Sequence, residues 1–151
     1  MSENQTFVAS ADEGETFTIG ALKIVSRVVG AQSGDTIELY DLIMGPFTID
    51  YHVHHTMDET LCVIEGEIEF IVAGEKFLRK AGSVAHVPRG VYHGFSNLGP
   101  GSARVLALFN PAGHQSDYFR ALEKLAAAPN PDMAAIKALQ KQYDQELVPL
   151  T

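Results

Sequence analysis

The chain has 151 residues, 46 % of them apolar and 20 % charged, with a formal net charge of −8. That balance describes one ordinary domain with a real hydrophobic core, neither a disordered chain nor a membrane one. The acidic surface offers no basic face for phosphate, which speaks against nucleic acid as a partner, and no apolar run approaches the length of a membrane span.

The N-terminal MSENQTFVASADEGE is polar and acidic and lacks the apolar stretch of a secretory signal. The single cysteine, Cys62, rules out an internal disulfide. The expectation is a cytoplasmic protein with an N-terminal arm over residues 1–20. From about Thr16 to Phe109 the chain breaks into short runs rich in Val, Ile, Phe and Leu: ALKIVSRVV, TIELYDLI, TLCVI, EIEFIVA, SVAHVP and ARVLALF. Several alternate with period two, as Ile68, Phe70 and Val72 do against Glu67 and Glu69. Gly and Pro punctuate the gaps. Short, closely spaced strands with turns predict an antiparallel sandwich or barrel over 21–110.

After Pro111 the period changes. HQSDYFRALEKLAAA places Tyr118, Leu122 and Leu125 on one helical face. NPDMAAIKALQKQYDQEL predicts a second helix, with Asn130 as N-cap and Pro131 at the first helical position. Met133, Ile136 and Leu139 follow at helical spacing, continued by Tyr143 and Leu147. The tail, 111–151, is therefore read as two amphipathic helices lying on the barrel or on a partner subunit.

The stretch YHVHHTMDET, residues 51–60, holds three of the six histidines. Residues two apart in a strand share a face, so His52 and His54 point one way, with Asp50 and Thr48, while Val53 and His55 point the other. An imidazole pair at that spacing can chelate one metal ion. Three histidines in four positions also suit a solvated surface patch. Parity on a continuous strand favours Asp58 as the accompanying acid. A turn within HTMD would bring in Glu59 from the next strand instead. GSVAHVPRGVYHGFSN, residues 82–97, supplies a second candidate element, with a turn at Pro88-Arg89-Gly90 and then His93.

These two segments together resemble the cupin motifs. G-x5-P-x-G-x2-H-x3-N is matched by Gly82, Pro88, Gly90, His93 and Asn97. The first motif, G-x5-H-x-H-x3–4-E-x6-G, is matched by His52, His54, Glu59 and Gly66, with Gly45 one residue further upstream than the pattern asks. From about Glu15 onward the chain resembles small monocupins of the quercetin-dioxygenase-like kind. The resemblance implies an all-β double-stranded β-helix, or jelly-roll barrel, followed by two C-terminal helices.

It also implies His52, His54, Glu59 and His93 as ligands of one divalent transition metal. That donor set suits Fe, Ni, Co, Mn, Cu or Zn. Open positions on such an ion can hold water, a chelating substrate, or dioxygen (O2) beside a substrate. The expected activity is a dioxygenase acting on a small aromatic or enolisable, flavonol-like molecule, with Glu59 as ligand and catalytic base. An isomerase, cyclase or hydro-lyase using the ion as a Lewis acid is the alternative, as is a module that only binds a metabolite. Asp50, Leu61 and Phe95 share a face with the ligands and are expected to line the substrate pocket. His55 reads as a surface residue, Asp58 as a turn residue, Asn97 as a backbone hydrogen-bonder, His114 as exposed and Cys62 as a packed thiol. Parity does not assign a face to His86. Small cupins usually pair, so a homodimer is expected.

Overall fold

Alternating sequence becomes alternating burial. The computed structural model describes residues 3–147; residues 1–2 and 148–151, the extremes of the expected arm and tail, lie outside the described residues. In chain order the elements are β1 (Thr16–Ile19), β2 (Leu22–Val28), the single turn α1 (Gly30–Ser33), β3 (Glu38–Met44) and β4 (Phe47–Val53). Then come β5 (Asp58–Glu65), β6 (Glu67–Val72), β7 (Glu75–Lys80), β8 (Val84–Val87), β9 (His93–Asn97) and β10 (Ala103–Asn110). The tail holds α2 (Gln115–Ala126), α3 (Met133–Gln142) and β11 (Glu146–Leu147). In β10, Ala103, Val105, Ala107 and Phe109 are buried and the residues between them only half-buried. A large apolar side chain gains roughly 1.5–3 kcal/mol on full burial, so packing decides which face of each strand turns inward.

The strands form two antiparallel sheets, β1-β2-β3-β10-β5-β8 and β11-β4-β9-β6-β7. Phe17, Tyr40, Met44, Leu61, Ile68 and Val105 fill the space between them, none more than 1 % exposed. This is the expected double-stranded β-helix. Residue 17 belongs to the segment 1–20, whose end is thus a strand paired with β2, while Arg27 reaches the Ser10 and Glu13 carbonyls of the preceding stretch.

The tail closes on its own barrel. Phe119 of α2 packs edge-on to Tyr40, with ring centroids 5.1 Å apart, and lies 6.1 Å from Phe17. β11 then adds a short strand to β4, pairing Glu146 with Val53 and Leu147 with His52. Two expectations are corrected here. The second helix is capped by Asp132, whose carboxylate accepts from the Ala135 amide at 3.1 Å, rather than by Asn130. The nearer acid satisfies an orphan amide of the first turn, so Pro131 falls before the helix instead of inside it. The helix also stops at Gln142, because Asp144 adopts a left-handed backbone (φ 61°) that turns the chain into β11. Leu147 therefore belongs to a strand, and Met133, 60 % exposed, drops out of the packed stripe.

Between β4 and β9 the register slips. Ile49 pairs with Phe95 but His52 with His93, so Asp50 and Tyr51 stand opposite Gly94 alone. Such a bulge re-aims side chains, and here it lies directly before the first histidine. Gly94 permits it: a Cβ there would sit 2.8 Å from the Ile49 carbonyl oxygen.

Candidate metal centre

β4 ends at Val53 and β5 begins at Asp58, so the chain turns through His54–Met57. That turn settles the competition between the two acids. Glu59 returns into the barrel and is 4 % exposed. Asp58 faces outward, where its carboxylate is gripped by Arg89 at 3.0 and 3.2 Å. The Arg89 hydrogen bonds hold the Asp58 carboxyl down to about 2. The β9 strand delivers His93 from the opposite side, paired with His52. One potential ligand atom from each of His52, His54, Glu59 and His93 lies within 4.8 Å of the others, and all four residues are buried.

Each imidazole is oriented by a backbone carbonyl at its Nδ1. Asp50 O serves His52 at 2.6 Å, Asp144 O serves His54 at 2.7 Å, and Val91 O serves His93 at 3.1 Å. A carbonyl can only accept, so each Nδ1 carries the proton and each neutral Nε2 presents a lone pair to the common point. His52 Nε2 and His54 Nε2 are 3.1 Å apart, and Glu59 Oε2 lies 2.9 Å from both His54 Nε2 and His93 Nε2. Converging lone pairs at that spacing repel unless a cation or a proton sits among them. The donor set thus fits a divalent ion, with nitrogen and oxygen ligands in the numbers a transition metal takes. Carbonyl support of the remote ring nitrogen is also the usual setting of a metal-binding histidine.

Before a cation binds at that point the other case holds: a proton on the Nε2 side is donated to Glu59, and the electrostatics reflect it. Burial, and then the neighbouring His93 and His54, push His52 down to about 3, so it is neutral across the physiological range. Burial works to raise the Glu59 carboxyl, but hydrogen bonds from His54 and His93 override it and hold the group well below the usual carboxylate range. Burial likewise works to lower His54, and the Glu59 hydrogen bond outweighs it, leaving that ring raised.

Three of the four residues, His52, His54 and Glu59, open onto a cavity of about 140 Å³. Its wall is mainly apolar and aromatic, including Phe47, Phe95, Phe109 and Phe119, and among the described residues it contains no lysine or arginine. Asp50 and Phe95 line it. Leu61 does not: it lies on the expected face of β5 but deeper, 1 % exposed within the core. The sequence reading missed the contribution of the tail, which supplies Gln115, Tyr118, Gln140, Gln145 and Leu147 to the wall. Gln140 Oε1 is a buried acceptor without a partner among the described residues. Only the apolar stripes carrying Tyr118 and Leu147 were visible beforehand, and nothing in them distinguished cavity from core.

The remaining polar residues take structural positions. His86 is exposed on the outer face, its Nδ1 2.8 Å from Thr60 Oγ1 across β5 and β8. His55 is exposed and pairs with Glu146 at 3.0 Å. Asn97 holds the β9–β10 turn, donating to Met44 O and Gly101 O and accepting from the Gly99 amide. His114 is exposed at the start of α2, and Cys62 is half-buried on the outer side of β5.

Fold and site define a double-stranded β-helix protein with a buried three-histidine, one-glutamate cluster at one end of the barrel. Residues 39–109, which run from β3 to β10, match the family described as "Cupin domain". It is 28 % identical over 94 residues to quercetin 2,3-dioxygenase of Bacillus subtilis, covering 62 % of this chain and 28 % of that protein. It is 34 % identical over 99 residues to germin-like protein 1-1 of Oryza sativa, covering 62 % of this chain and 46 % of that one. The chain thus spans between about a quarter and a half of these curated relatives. Among solved structures, an RmlC-like cupin from Shewanella frigidimarina superposes with a TM-score of 0.63 at 22 % identity, over 76 % of this chain and 96 % of that one, a likeness of fold. Among the described residues no helix is long and apolar enough to cross a membrane.

Proposed function

We propose that the protein is a metal-dependent cupin enzyme, a dioxygenase acting on a small aromatic or enolisable, flavonol-like molecule. The observation that carries this reading is the convergence of three carbonyl-oriented Nε2 lone pairs and one carboxylate on a point that opens into an aromatic-lined cavity. The similarity to a quercetin dioxygenase supports it. A bound Fe, Ni, Co, Mn, Cu or Zn ion would supply Lewis acidity and open positions where substrate and dioxygen meet.

The chain's own residues do the rest. His52, His54, Glu59 and His93 would hold the ion. Phe95 and Phe109 flank a planar ring and exclude water from it. Gln140 Oε1 accepts a hydrogen bond from a substrate hydroxyl inside the cavity. Glu59, ionised and at the cavity wall, takes the proton of a hydroxyl brought to the centre, leaving an electron-rich enolate for oxidation. The absence of lysine and arginine from the described wall disfavours phosphorylated or strongly anionic substrates.

The test is oxygen uptake with a flavonol after reconstitution with each metal in turn. Consumption of dioxygen together with substrate is expected with at least one of them. No uptake with any metal, alongside conversion of an enolisable substrate under argon, would replace this reading by the Lewis-acid isomerase, cyclase or hydro-lyase. At saturating metal, Glu59→Gln should slow turnover by about 10²–10⁴-fold; full turnover would remove the base role. The reading includes a cytoplasmic homodimer. Val84 and Leu78, 64 % and 53 % exposed, stand on the edge strands β8 and β7, where a second copy would cover them. A monomeric mass by light scattering would refute that.

A further inference from the structure

The tail does more than cover the barrel. Its residue Asp144 grips the turn between β4 and β5 with every polar atom that faces it. Oδ1 accepts from the His55 amide at 2.7 Å, and Oδ2 accepts from the Thr56 amide at 2.8 Å and from Thr56 Oγ1 at 2.7 Å. Its backbone carbonyl accepts from His54 Nδ1 at 2.7 Å. These contacts join segments about ninety residues apart in sequence. Asp144 aims carboxylate and carbonyl at the same turn from a left-handed backbone (φ 61°), a conformation uncommon outside glycine.

The other two imidazoles are held differently. His52 and His93 are oriented by carbonyls two residues upstream in their own segments, Asp50 within β4 and Val91 just before β9. His54 alone depends on a remote segment. That segment also forms part of the cavity wall through Gln140, Gln145 and Leu147.

We infer that Asp144 is a positioning residue for the metal centre: it ties the wall segment 140–147 to the His54 imidazole, so that the four-ligand set is complete only when that wall is docked. The inference rests on the metal reading above and extends it. Docking of the wall orients His54, and by reciprocity ion binding at His54 stabilises the docked wall. A substrate seated against Gln140 and Leu147 is then sensed at the ion, and the ion is sensed at the wall. The family motifs on 39–109 do not contain this link, because its anchor lies in the tail.

The experiment uses the full chain and Co²⁺ as the probe, since its absorption spectrum reports coordination number and geometry. Asp144→Gly removes the carboxylate yet accepts the left-handed backbone. It is expected to weaken Co²⁺ affinity by about 10–100-fold and to shift the spectrum away from that of the wild type. Asp144→Asn tolerates the same backbone and keeps an acceptor for the His55 amide, so it recovers part of the affinity. In the unaltered protein, amide exchange over residues 140–147 slows when Co²⁺ is added. Co²⁺ affinity and spectrum of Asp144→Gly matching the wild type would overturn the inference and leave the metal reading standing. So would exchange at 140–147 that ignores Co²⁺. Failure of the wild-type protein to bind Co²⁺ would instead overturn the metal reading, and this inference with it.

Discussion

Replacing Gly94 by alanine probes the bulge that aims two of the four clustered side chains. The added Cβ would lie 2.8 Å from Ile49 O, 3.2 Å from the Asp50 carbonyl carbon and 3.2 Å from Tyr51 N. All three are backbone atoms of β4, so no side chain can rotate to relieve the contact. Ordinary van der Waals separation requires one strand to move by several tenths of an ångström. Overpacking of this kind costs about 1–3 kcal/mol. In a domain of this size each kcal/mol lowers Tm by about 2–4 °C, which gives an expected fall of about 2–12 °C. The displacement lands on His93, the next residue in β9, and on His52 beyond the bulge. Co²⁺ affinity should therefore fall together with Tm. Gly101→Ala, with nothing within 4 Å of its added Cβ and no positive φ, is the control and should change neither. Calorimetry and Co²⁺ titration of the two variants decide the matter. A Gly94→Ala protein that melts within about 1 °C of wild type and binds Co²⁺ equally well would refute the argument.

Asp58→Asn breaks the outward Arg89 pair at the surface and should leave Co²⁺ affinity within about twofold, because solvent-exposed pairs contribute little. Glu59→Gln, one residue on, should lower that affinity at least about tenfold; equal effects of the two would reopen the parity question. Tyr118 is 2 % exposed, and burial pushes its hydroxyl up to about 12 from 10.0. The folded protein thus keeps a proton that the unfolded chain surrenders above pH 10, so this contribution is complete below pH 10 and is lost as pH rises through 12. It amounts to about 3 kcal/mol, and Tyr118→Phe should flatten that part of a urea-denaturation pH series. Tyr40, also raised by burial, accounts for a residual slope. An alkaline slope unaltered by Tyr118→Phe would count against this assignment.

The strands were legible because their alternation has a physical cause that the sequence carries locally: every second residue must enter the core. β10 and β5 show it most clearly. His52 and His54 were paired by strand parity, whereas His93 and Glu59 joined them only through a resemblance, since spacing alone did not bring His93 to the pair and parity pointed to Asp58. The turn at His54–Met57 reconciles the two, and the grip of Asp144 on that turn comes from the far end of the chain, where no local period announces it. The bulge at Asp50 and Tyr51 was hidden for a similar reason. It depends on Gly94 being opposite, which is a fact of pairing rather than of either segment. Leu61 had the right face and the wrong depth, because parity assigns a side of a sheet but not a distance along the barrel axis. Asp132 displaced Asn130 as helix cap because both residue types cap well and only the geometry of the first turn chooses between them.

The central claim is that four side chains, His52, His54, Glu59 and His93, hold one divalent ion. Metal analysis of the purified protein, after dialysis against Fe, Ni, Co, Mn, Cu and Zn separately, tests it most directly when paired with a His52→Ala, His93→Ala double variant. The prediction is one tightly held ion per wild-type chain for at least one of these metals, and none in the double variant while its circular dichroism remains that of a β-barrel. A wild-type chain that retains no ion from any of them, or a folded double variant that retains as much as the wild type, would contradict it.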